Sequence, residues 1–143
     1  MGPNKQKYEF AGTAWMNALR REIEGMLRNA PPDLRFSFCE VFTGVPKHLD
    51  RNGTGVLAWS CTIEGSRANF VEVELDHTDI KTVADYAYLI PLTRWRLNDG
   101  RQAEFNAYLE DGARDGKIKR SGDLSKFPAV LSGLHDAAVD FTE

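Results

Sequence analysis

Cysteine is scarce in this sequence: Cys39 and Cys61 are the only two in 143 residues, and they form no CxxC pair. Neither a disulfide framework nor a thiolate zinc site is expected; two buried free thiols are favoured over a disulfide, because both lie within strand-like apolar patterns. Histidine is as sparse. His48, His77 and His135 show no HxH, HxxxH or HExxH spacing, so no metal centre is expected. Long apolar runs are missing too, since none approaches the roughly 20 residues of a membrane helix. Lys5, Lys7 and Glu9 leave no signal-peptide core near the start, and a cytoplasmic protein is expected. Met1-Gly2 is followed by Pro3 and, at position 6, by Gln, which does not fit N-myristoylation. There is no excess of positive charge: 18 Lys and Arg stand against 21 Asp and Glu, a net charge of -3, so no nucleic-acid partner is expected. GxGxxG, P-loop and GxSxG patterns are all absent, and neither cysteine has a neighbouring base. No cofactor and no catalytic residue are assigned on these grounds.

What is present is an ordinary globular composition, 42% hydrophobic and 27% charged, with length enough for one domain over residues 1–143. Thr13 can cap a helix whose apolar stripe is Trp15, Met16, Leu19, Ile23, Met26 and Leu27, and Pro31-Pro32 ends it. Leu34 to Val45 reads as a strand with an irregularity near Cys39. In it Phe36, Phe38 and Phe42 stand among polar Ser37, Glu40 and Thr43. Val56 to Glu64 and Ala68 to Asp76 alternate apolar and polar across Gly65-Ser66, which is the pattern of an antiparallel hairpin. Thr82-Val83-Ala84-Asp85 has capping-box spacing and is expected to open a short helix through Tyr86, Leu89 and Ile90. Arg101 to Glu110 reads as a helix with Gly112 just beyond its end. A last helix is expected from Asp123 or Ser125 through Phe127, Val130, Leu131 and Leu134. Strands grouped early and helices late give an α+β fold: a small, curved, mainly antiparallel sheet covered by helices.

Between the last two helices lies Gly116-Lys117-Ile118-Lys119-Arg120-Ser121-Gly122-Asp123, a glycine turn, a short basic strand, a second glycine and an Asp cap. With the opening amphipathic helix, and with Trp59 standing where the family often has an aromatic residue opening a strand, this order resembles the sterol carrier protein 2-like family. Its members close with a "GKLKIKGD"-type segment leading into the final helix. The segment here is one residue longer, and Pro91 to Glu104 looks like an insertion.

The resemblance implies non-catalytic binding of a hydrophobic small molecule, a fatty acyl chain, sterol or similar lipid, in an apolar cavity between sheet and helices. Residues expected to line it are Phe36, Phe38, Trp59, Tyr86, Leu89, Phe105, Tyr108, Leu131 and Leu134. Arg114, Lys117, Lys119, Arg120 and Lys126 form a basic cluster suited to an anionic head or surface. Two other readings stand beside this one. A small pocket enzyme of isomerase, cyclase or hydratase type would use a desolvated carboxylate, and Glu40, flanked by Phe38, Val41 and Phe42, is then the acid to test. Alternatively, an interaction module would pair with its own copy as a homodimer. Glu72, Glu74 and Asp76 are expected on one wet strand face.

Overall fold

Nine residues rich in aromatic and β-branched side chains, Arg35–Thr43, form the central strand β1. In the computed structural model, which describes residues 6–143, the rest of the sheet is built outward from this strand. The Met1-Gly2-Pro3 start lies outside the described residues. β2 (Val56–Glu64) pairs antiparallel with β1 from Arg35↔Glu64 to Thr43↔Val56, and β3 (Arg67–Val71) continues as the hairpin partner of β2. On the other side β4 (Ile80–Asp85) runs parallel to β1, and β5 (Ile118–Gly122) runs antiparallel to β4. The order is β3-β2-β1-β4-β5, so three of the four pairings are antiparallel. The expected α+β architecture is present, as a mixed sheet.

Side chains alternate across a strand, so the register decides what shares a face. Phe36, Phe38, Glu40 and Phe42 of β1 stand with Leu57, Trp59, Cys61 and Ile63 of β2, with Ile80, Thr82 and Ala84 of β4, and with Ile118 and Arg120 of β5. Helix α1 (Thr13–Met26) packs into the same core through buried Trp15, Met16, Leu19 and Ile23. The buried Trp15 Nε1 donates to Thr142 Oγ1 at 2.8 Å, which ties the first helix to the end of the chain. Three further helices follow: α2 (Tyr86–Leu89), α3 (Gln102–Arg114) and α4 (Leu134–Phe141). Because β3 and β4 are separated by two strands, residues 72–79 must cross behind the sheet. There Ser60 Oγ donates to the Val73 carbonyl at 2.7 Å, and Asp79 accepts from the Ser37 N–H at 2.8 Å. Cys39 is buried on that rear face and Cys61 on the front one, so the two thiols are free.

Several local expectations are corrected by this arrangement. Thr82 to Asp85 is strand, because the free edge of the buried β1 recruits Ile80–Asp85 as a ladder partner and overrides the local capping pattern. Asp85 alone caps α2, accepting from Ala87 N at 2.9 Å and Tyr88 N at 3.3 Å. Asp85→Ala should therefore cost about 1 kcal/mol in urea unfolding, as loss of a helix cap does; an unchanged midpoint would assign the turn to packing instead. Thr13 is the first residue of α1 and not its cap, a position held by Gly12 with no side-chain bond. β1 shows no irregularity at Cys39, whose pairings to Ser60 and Lys81 are in register. β3 ends at Val71, so Glu72, Glu74 and Asp76 share no strand face; Glu74 pairs with Lys81 at 2.8 Å and Glu72 lies 3.8 Å from Arg51. Gly112 lies inside α3, where a Cβ would come within 2.6 Å of Tyr88 Cε1, so it serves close packing and not helix termination. The single last helix is replaced by two 3₁₀ turns, Leu124–Lys126 and Ala129–Leu131, before α4. Pro128 and the left-handed Gly133 (φ +87°) interrupt it.

Candidate functional site

The front face of the sheet and the later helices do not close on each other completely. Between them is a cavity of about 450 Å³. Its floor is the sheet, through Phe38, Glu40, Trp59, Ile80 and Thr82; its walls are Trp15 and Leu19 of α1, Leu89 of α2, Phe105 and Leu109 of α3, and Leu134 and Val139 of α4. The stretch 91–104, which the sequence suggests is an insertion, adds Leu92 and Thr93. Asp136 of α4 holds that connection in place by accepting from Leu97 N at 2.6 Å and Asn98 N at 3.1 Å. Exposed Arg120, Leu124 and Phe127 stand where the cavity meets solvent.

Of the nine residues expected on the lining, Phe38, Trp59, Leu89, Phe105 and Leu134 come together on this wall. The other four are placed elsewhere. Phe36 and Leu131 are fully enclosed in the main core. Tyr86 is not on the lining: it stacks on Phe10 at 5.5 Å and its hydroxyl donates to the Phe10 carbonyl at 3.0 Å. Tyr108 stacks on Tyr88 at 4.3 Å and donates to the Tyr88 carbonyl at 2.6 Å. An apolar stripe in sequence does not separate such packing roles from a cavity wall.

The basic cluster is smaller than its composition implies. Arg114 pairs with Asp111, Lys117 lies 3.8 Å from Asp85 and Lys126 lies 3.9 Å from Asp79. Among the described residues only Lys119 and Arg120 of that cluster have no carboxylate within 4 Å. The histidines are dispersed: His48 bonds Glu9 at 2.8 Å, His77 is exposed, and His135 Nε2 bonds the Trp95 carbonyl at 2.7 Å. No group of three metal-ligating side chains exists among the described residues.

The most unusual lining residue is Glu40. It sits mid-strand in the central strand, opposite Trp59 on β2 and Thr82 on β4, and Thr82 in turn is opposite Arg120 on β5. The row across the sheet is thus Trp59, Glu40, Thr82, Arg120. The Glu40 carboxylate has neither a hydrogen bond nor an ion pair among the described residues. Burial in this apolar wall pushes its carboxyl up to about 7, and the Arg120 guanidinium offsets only part of that rise. Beside it, the fully buried Trp59 Nε1 has no acceptor among the described residues. The period-two alternation of Phe36, Phe38, Glu40 and Phe42 is the signal that places this acid on the dry face. Grouping Glu40 with the polar residues of β1 passes over that signal.

No family model matches the sequence, and no curated protein matches it. Solved structures do. A crystal structure of sterol carrier protein 2 superposes over 94% of this chain and all of its own, with a TM-score of 0.57 and 17% identity. The chain has the sterol carrier protein 2 fold. The sterol carrier protein domain 2 of Helicoverpa armigera gives 0.52 at 16% identity over 99% of this chain and 98% of its own. A conserved hypothetical protein of Thermus thermophilus gives 0.53 at 17% over 99% and 96%. Within the sterol carrier protein 2 fold of this chain, the Gly116–Asp123 segment contains the edge strand β5. Gly116 (φ +74°) and Gly122 (φ +97°) bracket that strand, and Asp123 accepts from Ser125 N at 2.9 Å in the following turn.

Proposed function

We propose that this protein binds a hydrophobic small molecule, a fatty acyl chain, a sterol or a similar lipid, non-covalently in the cavity between sheet and later helices. The observation behind this reading is the cavity itself. Its volume of about 450 Å³ falls within the roughly 300–1,000 Å³ of small-molecule sites, and its lining is apolar apart from a few convergent polar groups. Its position between the sheet and all four helices is compatible with a site for an apolar guest. The similar solved structures are of sterol carrier proteins, which supports the same reading. No helix among the described residues is long and apolar enough to cross a membrane, so the reading is of carriage and not of spanning.

The test is a titration with N-phenyl-1-naphthylamine, a neutral apolar fluorophore, alongside mass spectrometry of the solvent-extracted protein. Saturable binding is expected. Ala138→Trp, which adds a large ring to the α4 wall, should weaken it by tenfold or more while the far-ultraviolet spectrum stays unchanged. Absence of saturable binding in the wild type, together with an empty extract, overturns the reading.

The placement of Glu40 in the cavity also favours a second reading, a small α+β enzyme of isomerase, cyclase or hydratase type with this carboxyl as acid or base. Conversion of an extracted ligand by the wild type and not by Glu40→Gln distinguishes it from carriage.

A further inference from the structure

We propose that the molecule held in the cavity is an amphiphile whose polar end is a protonated amine, seated against Glu40, and not a fatty acid. This rests on the reading that the cavity is the binding site, and adds the chemistry of the head group.

Among the described residues Glu40, half-buried, is the only carboxylate on the lining, and it lies on the floor without a hydrogen-bond or ion-pair partner. A carboxylate held in an apolar enclosure is destabilised unless a cation or a hydrogen-bond donor reaches it. Among the described residues nothing forms a hydrogen bond or ion pair with it, not even the neighbouring Thr82 or the unpaired Trp59 Nε1. Arg120, the nearest base on the same sheet face, is two strands away, forms no ion pair with Glu40, and its field is outweighed by the desolvation of the carboxyl. His135, from α4, is engaged with the Trp95 carbonyl and packs its ring against Phe105 at 4.9 Å. No charged side chain of α1, α2, β2 or β4 lines the cavity.

The remaining surroundings suit a cation. Phe38 and Trp59 line the floor beside Glu40, and Phe10, Trp15, Phe105 and Phe127 complete an aromatic-rich enclosure. Aromatic faces attract ammonium groups more than aliphatic walls do, and a carboxylate amid aromatic rings is a recognised way to hold an organic cation. A fatty acid carboxylate meets the opposite field at this position. Its head would have to remain at the mouth near Arg120, leaving its chain laid over an unpaired acid.

The experiment is displacement of N-phenyl-1-naphthylamine by dodecylamine, dodecanol and dodecanoate, which share a chain length and differ in the head. Dodecylamine stays protonated from pH 5.5 to 8, so a pH dependence of its binding reports on the protein. At pH 8 dodecylamine should bind about tenfold more tightly than dodecanol, and more tightly still than dodecanoate. Its advantage over dodecanol should shrink severalfold as the pH falls from 8 to 5.5 and Glu40 takes up a proton. Glu40→Gln should abolish both the amine preference and its pH dependence while dodecanol still binds. The wild-type pH series tests the same point without any variant. If dodecanoate equals or exceeds dodecylamine at pH 8, or if the amine advantage is flat with pH, the head-group proposal is overturned and the cavity reading survives. If neither the fluorophore nor dodecanol binds, both fall.

Discussion

Glu40→Gln should leave stability unchanged at pH 4 and raise it by up to about 3 kcal/mol at pH 8, less to the extent that water in the cavity reaches the carboxylate. The sign follows from the two states. In the folded protein this carboxyl titrates near 7, against an ordinary value of 4.5 in the unfolded chain. Below the lower value both states are protonated, and Glu40 adds no pH dependence. As the pH rises from there to about 7, the unfolded chain ionises while the folded one keeps its proton, so folding stability is progressively lost. Above the folded value the loss is complete and constant. Glutamine has the same shape and no titration, so the variant's unfolding midpoint in urea should stay flatter across this window. Parallel wild-type and variant profiles from pH 4 to 8 would show that the carboxylate is well solvated, and would remove the physical basis for an amine partner as well. A difference of the expected size identifies a position at which the fold sacrifices stability, and such positions cluster at sites of function.

Helix α1 and the β2–β3 hairpin were legible because their signals are local: an apolar stripe at helical spacing, and strict alternation across a glycine turn. The order of elements around Gly116 to Asp123 was legible for the same reason. β4 was not, because its strand state depends on a parallel neighbour some 40 residues earlier, while Thr82 and Asp85 in isolation resemble a helix start. The sequence suggests too long a last helix because Leu124, Phe127, Leu131 and Leu134 keep an approximately helical spacing, although Pro128 and Gly133 divide that stretch into separate turns. At the site, residue type alone separated Phe38 and Trp59 from solvent but did not separate cavity wall from solid core. Tyr86 and Tyr108 are lost to backbone acceptors, at the Phe10 and Tyr88 carbonyls, that only tertiary structure supplies. Glu40 was legible as an acid among apolar neighbours, and its facing followed from the alternation of β1.

Gly122→Ala should be among the most damaging single substitutions, costing about 4 kcal/mol, whereas Gly116→Ala should cost about 1 kcal/mol. Both glycines have positive φ, +97° and +74°, so a Cβ strains the backbone at either position. Only at Gly122 does it also collide. An added Cβ would lie 1.9 Å from the Asp79 carbonyl oxygen and 3.1 Å from Ile80 Cα, whereas nothing lies within 4 Å at Gly116. The obstructing atoms are backbone and cannot rotate aside. Nor is Asp79 free to retreat, since its side chain accepts from Ser37 N at 2.8 Å and its own N–H donates to Ser37 Oγ at 3.0 Å. Relief must come from moving the end of β5 away from Ile80, its ladder partner. That end leads directly into Leu124 and Phe127 at the cavity mouth, so the same substitution should also weaken apolar ligand binding in whatever fraction stays folded. Urea unfolding of the two variants separates collision from backbone strain. Equal losses would mean that β5 yields easily and that close approach to Asp79 does not require glycine; a fourfold difference assigns the second glycine of the segment to steric closure of the sheet beside the cavity.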